Sequence, residues 1–208
     1  MSPKGQFGSI CCPIPAEDSP AVHIVIYSTG LKVYGQDEWK VKKHGADKRP
    51  IWRKLHLATD EATNDIHTVE LTTKVVSDRE MVKTLLAAIE QSIAKLGGDG
   101  AYDQVKVYDQ WPRDHMQLLI PPRVNAVIWT HETIIMIQAV GLAEWKRQSG
   151  YHRRSKAEMV MFRWKMSFGE RLSTRLLKNQ QTEIQVKANW LNRFTKLGMP
   201  KAVKQQLT

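Results

Sequence analysis

The hydrophobic positions of this chain change their spacing along its length, which predicts strands first and helices later. Val22-His23-Ile24-Val25-Ile26-Tyr27 is a β-prone run followed by Ser28-Thr29-Gly30, a strand with a turn signal behind it. Arg53 to Thr59 and Ile66 to Thr73 flank the polar stretch Asp60-Glu61-Ala62-Thr63-Asn64-Asp65, which predicts an antiparallel meander. From Ser77, a helix-capping residue type, Met81, Val82, Leu85, Leu86, Ile89, Ile93 and Leu96 recur at helical spacing. One helix from Asp78 to the Gly97-Gly98 stop is therefore predicted. A short strand carrying Asp99, a helix near Asp103 to Trp111 and a strand at Met116 to Ile120 are expected next. The remainder reads as helices at about residues 131–147, 152–168 and 179–196. Trp129, Trp145, Trp164 and Trp190 are expected to fill the helical side of one core. The fold class is α/β, a mixed central sheet with flanking helices.

The helix expected at 152–168 carries the densest chemistry. On an ideal helix Tyr151, Arg154, Glu158 and Lys165 fall within an arc of about 60°, bordering the apolar face of Ala157, Val160, Met161, Trp164 and Phe168. A carboxylate flanked by cations at the rim of a core suits a metal ion held against a phosphodiester, with Glu158 as a hard oxygen ligand and Arg154 and Lys165 on phosphate oxygens. The same spacing also suits an amphipathic helix whose Arg154 and Glu158 pair on a solvated surface.

Charge narrows the partner. The 208 residues hold 31 Lys plus Arg against 21 Asp plus Glu, a net charge of +10. From Trp145 to Thr208 there are 15 basic and 3 acidic residues, a net +12, which leaves −2 for everything before. A basic patch of this kind attracts a polyanion. No apolar run approaches the length of a membrane span and no secretory signal opens the chain, so no membrane partner is expected. Cys11 and Cys12 are adjacent and offer neither a bridge nor zinc spacing, which suits a reducing cytoplasm.

Several blocks resemble one family in order. They are Ser28-Thr29-Gly30-Leu31-Lys32-Val33-Tyr34-Gly35, Glu38-Trp39-Lys40, Lys43-His44-Gly45, Trp52-Arg53-Lys54-Leu55-His56-Leu57, Leu71-Thr72-Thr73, Asp99-Gly100-Ala101-Tyr102-Asp103, Ile120-Pro121-Pro122-Arg123, the spacing Tyr151, Arg154, Glu158, Lys165, and Leu191-Asn192-Arg193 with Leu197-Gly198-Met199-Pro200. They are similar to the bacterial insertion-sequence transposases whose active site is two aspartates and a glutamate, with a Y-R-E-K signature. The resemblance implies a ribonuclease H-like fold, which the predicted element order also matches. It further implies magnesium, with manganese as a substitute, DNA as partner and a bacterial cytoplasmic setting.

Carried over residue by residue, Asp99 matches the second aspartate and Glu158 the glutamate, both as catalytic residues and metal ligands, while Tyr27 occupies the place of the first aspartate. A phenol is neutral at pH 7 and a poor magnesium ligand. Tyr151, Arg154 and Lys165 are expected to touch DNA, as are Lys40, Lys42 and Lys43 beside Trp39. The expected organisation is a disordered or non-homologous head at 1–20, a catalytic domain at 21–201 and a short tail at 202–208. The head holds Gly5, Gly8, Pro13, Pro15 and Pro20, with no helix-turn-helix pattern of the kind that would recognise an element's ends. The expected function is a truncated, degenerate transposase domain with impaired strand cleavage. The alternative is a non-catalytic DNA-binding protein that pairs with itself or interferes with an intact transposase.

Overall fold

The structure is a computed structural model, and it describes residues 21–33, 51–103, 116–122 and 132–198. Strand β1 (Val22–Val33) pairs antiparallel with β2 (Trp52–Asp60), which pairs antiparallel with β3 (Ile66–Thr73). On its other side β1 pairs in parallel with β4 (Ile93–Gly97), and β4 with β5 (Gln117–Leu119), so the order is β3-β2-β1-β4-β5. A two-residue strand, β6 (Arg171–Leu172), joins the far end of β1 in parallel. The helices are α1 (Asp78–Ala87), α2 (Glu132–Val140), α3 (Leu142–Ser149), α4 (Ser155–Phe168) and α5 (Leu177–Leu197). This mixed sheet with flanking helices is the α/β, ribonuclease H-like arrangement expected from the sequence.

The two-residue period of β1 divides the core. Tyr27, Leu31 and Val33 face α4 and α5, packing with Val160, Met161, Trp164, Ile184, Ala188 and Leu191. Ile24 and Ile26 face the other way, with Val82, Leu85 and Leu86 of α1 and with Leu96, Tyr102 and Ile120. The buried Asn192 side chain fastens α5 to β3: its amide donates to the Ile66 carbonyl and its oxygen accepts from the Ile66 N–H, both at 2.8 Å.

Several elements differ from expectation. β1 does not stop at Ser-Thr-Gly but continues to Val33, because Leu31 and Val33 still find apolar partners. The helix from Asp78 ends at Ala87, and Ile93 and Leu96 belong to β4. Spacing of three and four is shared by a helix and by a short strand with buried ends, and pairing with β1 decides for the strand. The helix expected at 131–147 is broken at Gly141, whose φ of +84° no helix accommodates. Trp145 and Trp164 are buried as expected, whereas Trp190 points away from the core and is half exposed. Trp129 and the helix expected near Asp103 to Trp111, beyond Asp103, lie outside the described residues.

Candidate active site

The site forms where β4 ends and β1 continues, a crevice beyond the carboxyl end of a strand. Val25 lies opposite Gly97 in the parallel ladder. Beyond this pair Asp99 leaves the ladder, while β1 runs on through Tyr27, which packs on the face that α4 covers. Gly98 is what lets the chains approach, since a Cβ there would stand 3.1 Å from the Tyr102 ring and 3.4 Å from Ile26. Asp99 caps the 3-10 turn Gly100–Tyr102, and its Oδ1 accepts from the Ala101 N–H at 2.8 Å. Behind it Tyr102 is buried, and its hydroxyl lacks a well-formed hydrogen bond although Ser28 is close. Burial raises the Tyr102 pKa, and the negative charges of Asp78 and Asp99 add to the effect.

Across the crevice, the predicted helical stripe begins instead as a 3-10 turn, Tyr151–Arg154, which passes into α4 at Ser155. Gly150 at φ +73° makes the corner from α3. Two cations of this basic run are structural. Arg153 Nη1 donates to the Oε1 of the buried Glu61 at 3.0 Å, and Lys156 Nζ donates to the Glu61 carbonyl at 3.0 Å, so the start of α4 is held on the β2–β3 turn. Arg154 turns the other way. It lines the crevice with Val25, Gly97 and Tyr151, donates from Nη2 to Glu158 Oε1 at 2.9 Å, and stands 5.6 Å from the centroid of the Tyr151 ring. Trp145 backs the same ring at 5.5 Å and Lys146 covers it at 5.8 Å.

Charges from both sides of the crevice meet at Tyr151. Burial raises its phenol pKa, Arg154 opposes the rise, and Asp99 and Glu158 each reinforce it. Asp99, Glu158 and Arg154 are therefore gathered around Tyr151. Lys165, two turns further along α4, pairs with Glu170 at 2.7 Å. Lys40, Lys42 and Lys43 lie outside the described residues.

The sequence reading missed the structural use of Glu61, Arg153 and Lys156, and the only signal for it was a carboxylate in a turn otherwise built for solvent. Among the described residues no group of three or more His, Cys, Asp or Glu side chains could hold a metal ion. One carboxylate bonded to an amide, one paired with arginine and a neutral phenol do not fit the donor set for a pair of magnesium ions.

A ribonuclease H-like sheet with acids from a strand end and a late helix facing one crevice defines a class of nucleic-acid enzymes. Within it, this chain belongs to the transposase DDE domain family, whose profile matches residues 18–192. That family generally uses a divalent metal. Among solved structures, a piggyBac transposase in a synaptic complex with hairpin DNA, studied by cryo-EM, is similar at 11% identity and a TM-score of 0.49. The match covers 85% of this chain and 47% of that one, so the chain spans about half the length of that transposase. No helix among the described residues is long and apolar enough to cross a membrane.

Proposed function

We propose that this chain is a transposase catalytic domain of the bacterial insertion-sequence kind that still holds DNA but has lost most of its strand-cleaving power at Tyr27. In this reading residues 21–201 are the catalytic domain, 1–20 a head and 202–208 a tail, and the setting is the bacterial cytoplasm. What supports it is the sequence block at Tyr27, where a phenol stands at the place of the family's first aspartate on a strand that runs on through it. Asp99 and Glu158 are the remaining catalytic carboxylates, and would hold a metal only together with a carboxylate restored at position 27. Arg154 and Lys165 meet phosphate oxygens, and the Tyr151 hydroxyl, like any phenol neutral at pH 7, donates a hydrogen bond.

The change at residue 27 alters more than the count of ligands. Three carboxylates would give the crevice a charge that repels a phosphodiester unless cations were bound. Two carboxylates beside Arg154, with Lys165 shared by Glu170, repel a phosphodiester less than three would, so DNA is received without a metal. Gel shifts in EDTA should therefore show binding equal to that in magnesium.

The decisive experiment is nicking of supercoiled plasmid with magnesium or manganese, comparing the natural chain with Tyr27→Asp and with Tyr27→Asp/Glu158→Gln. Nicking by Tyr27→Asp alone is expected. Nicking by the natural chain that Glu158→Gln abolishes would overturn the claim of impairment. Binding without nicking by all three would favour the second reading, supported by the basic last third, of a DNA-binding protein that competes with an intact transposase.

A further inference from the structure

We propose that the outer edge of the sheet, strand β3 with helix α5 beside it, receives an extended, basic peptide segment of a partner protein as an added strand. Ile66 stands opposite Thr59 of β2, yet its N–H and its carbonyl both bond the Asn192 amide, so they point away from β2. Backbone groups alternate between the two edges of an antiparallel strand. Counting every second residue back along β2, Leu57 and Leu55 stand opposite Val69 and Leu71, whose N–H and carbonyl groups therefore point outward as well. No strand among the described residues pairs with this edge. At Ile66 a side-chain amide of α5 already stands in for a neighbouring strand.

A groove of about 350 Å³ runs on from there between the edge and α5, lined by Val69 and Glu70 on one side and by Gln181, Gln185, Val186 and Asn189 on the other. Gln181, Gln185 and Asn189 recur every four residues, about 6 Å along the helix. The groups on one edge of a strand recur every two residues, about 6.7 Å. Amides that each donate and accept are thus spaced to bond the far edge of a strand whose near edge bonds β3. The Gln181 and Gln185 amides have no hydrogen-bond partner among the described residues. A helix, roughly 10 Å across with its side chains, does not enter such a groove. A second copy would present a β3 edge flanked by its own α5. The occupant is therefore bare extended chain, and Glu70 sets its charge. This half-buried carboxylate lies between Val69 and Leu71, on the face of β3 away from the side chains that meet α5. No cation pairs with it among the described residues, and burial raises its pKa. A basic side chain opposite it on the added strand completes a cross-strand ion pair.

The test follows the amide resonances of the isotope-labelled full chain while blocked pentapeptides are added to millimolar concentration. The probes are threonine-valine-lysine-valine-threonine, the same peptide with glutamate for lysine, and the lysine peptide with its two central amides N-methylated. The lysine peptide should shift the Val69 and Leu71 amides and slow their hydrogen exchange, and the glutamate peptide should bind about threefold more weakly. Gln181→Ala/Gln185→Ala, both outside the core, should weaken binding about tenfold. Glu70→Lys should reverse the preference between the two charged peptides. Unmoved Val69 and Leu71 amides with the lysine peptide, or equal binding by the N-methylated one, would overturn the proposal. So would shifts of the same two amides on concentrating the chain without peptide, which would make the edge a contact between copies.

Discussion

His56 is fully enclosed on β2, with Nε2 2.9 Å from Thr72 Oγ1 and Nδ1 left without a hydrogen bond, 3.8 Å from Asp78 Oδ1. Burial lowers its pKa to about 4, Asp78 opposes that, and Lys54 adds to the lowering. Lys54 itself bonds Asp78 at 3.0 Å and the Val76 carbonyl at 3.1 Å, so the acid's charge is already taken. In the unfolded chain the ring titrates near 6.5, and between about pH 6.5 and 4 the unfolded state binds the extra proton. Stability therefore rises with pH across that window and is lost as pH falls through it. Urea titrations at pH 7 and pH 4 should show a loss on the order of 2–3 kcal/mol in the natural chain that His56→Gln lacks. An equal pH dependence in both proteins would show that the ring is solvated or protonated in the fold. In the sequence His56 stands between Leu55 and Leu57, a placement that suits a core residue better than a ligand. Its unbonded Nδ1 was not legible, because it depends on how α1 lies across the sheet.

Helix α4 is fastened at both ends. At its start, Arg153 and Lys156 grip Glu61. Beyond its end, Gly169 at φ +72° and Glu170 lead into β6, and the Glu170 carbonyl accepts from the Lys32 N–H at 2.9 Å. Between these anchors Val160, Met161 and Trp164 press on the sheet, which fixes where Glu158 stands. Removing the first anchor by Glu61→Ala should leave the core intact while the amides of Tyr151 to Lys156 exchange about tenfold faster or more, read by hydrogen–deuterium exchange. Unchanged exchange there would mean that packing alone holds the turn. Part of this frame was legible in the sequence, the meander and a late helix bearing Glu158, whereas the strand expected to carry Asp99 lies before it at Ile93–Gly97, in the stretch read as helix. Its ends were not. β6 is too short to leave a period, Gly141 interrupts an otherwise apolar run, and the 3-10 start of the signature stripe depends on Glu61, 92 residues from Arg153. Glu183 shows the same dependence. Burial would raise its pKa, but bonds from Lys187 and from the Ser173 and Thr174 amides lower it overall, and no local pattern announces that contact.

For the molecule as a whole, the last third of the sequence carries a net +12 and the rest −2, a surplus suited to a polyanion. Part of that charge is already committed: Lys187 pairs with Glu183, Arg147 with Glu144, and Arg153 with Glu61. With roughly four phosphates neutralised, affinity for duplex DNA should fall on the order of a hundredfold between 50 and 200 mM salt. Fluorescence anisotropy across that range checks it, and a nearly flat response would show that the basic residues serve folding instead of binding. Composition pointed to a polyanion, and only the ordered family blocks pointed to the crevice, because Tyr27, Asp99 and Glu158 lie on elements that no local rule brings together. The continuous β1–β2 ladder through Tyr27, which pairs with Leu57, also has a genetic meaning under the proposed reading. Tyrosine and aspartate codons differ only in their first base, so one transversion would put a carboxylate into a frame that has not been rearranged. If Tyr27 is the lesion proposed above, replication could erase it, and copies carrying it would be silent without being beyond recovery.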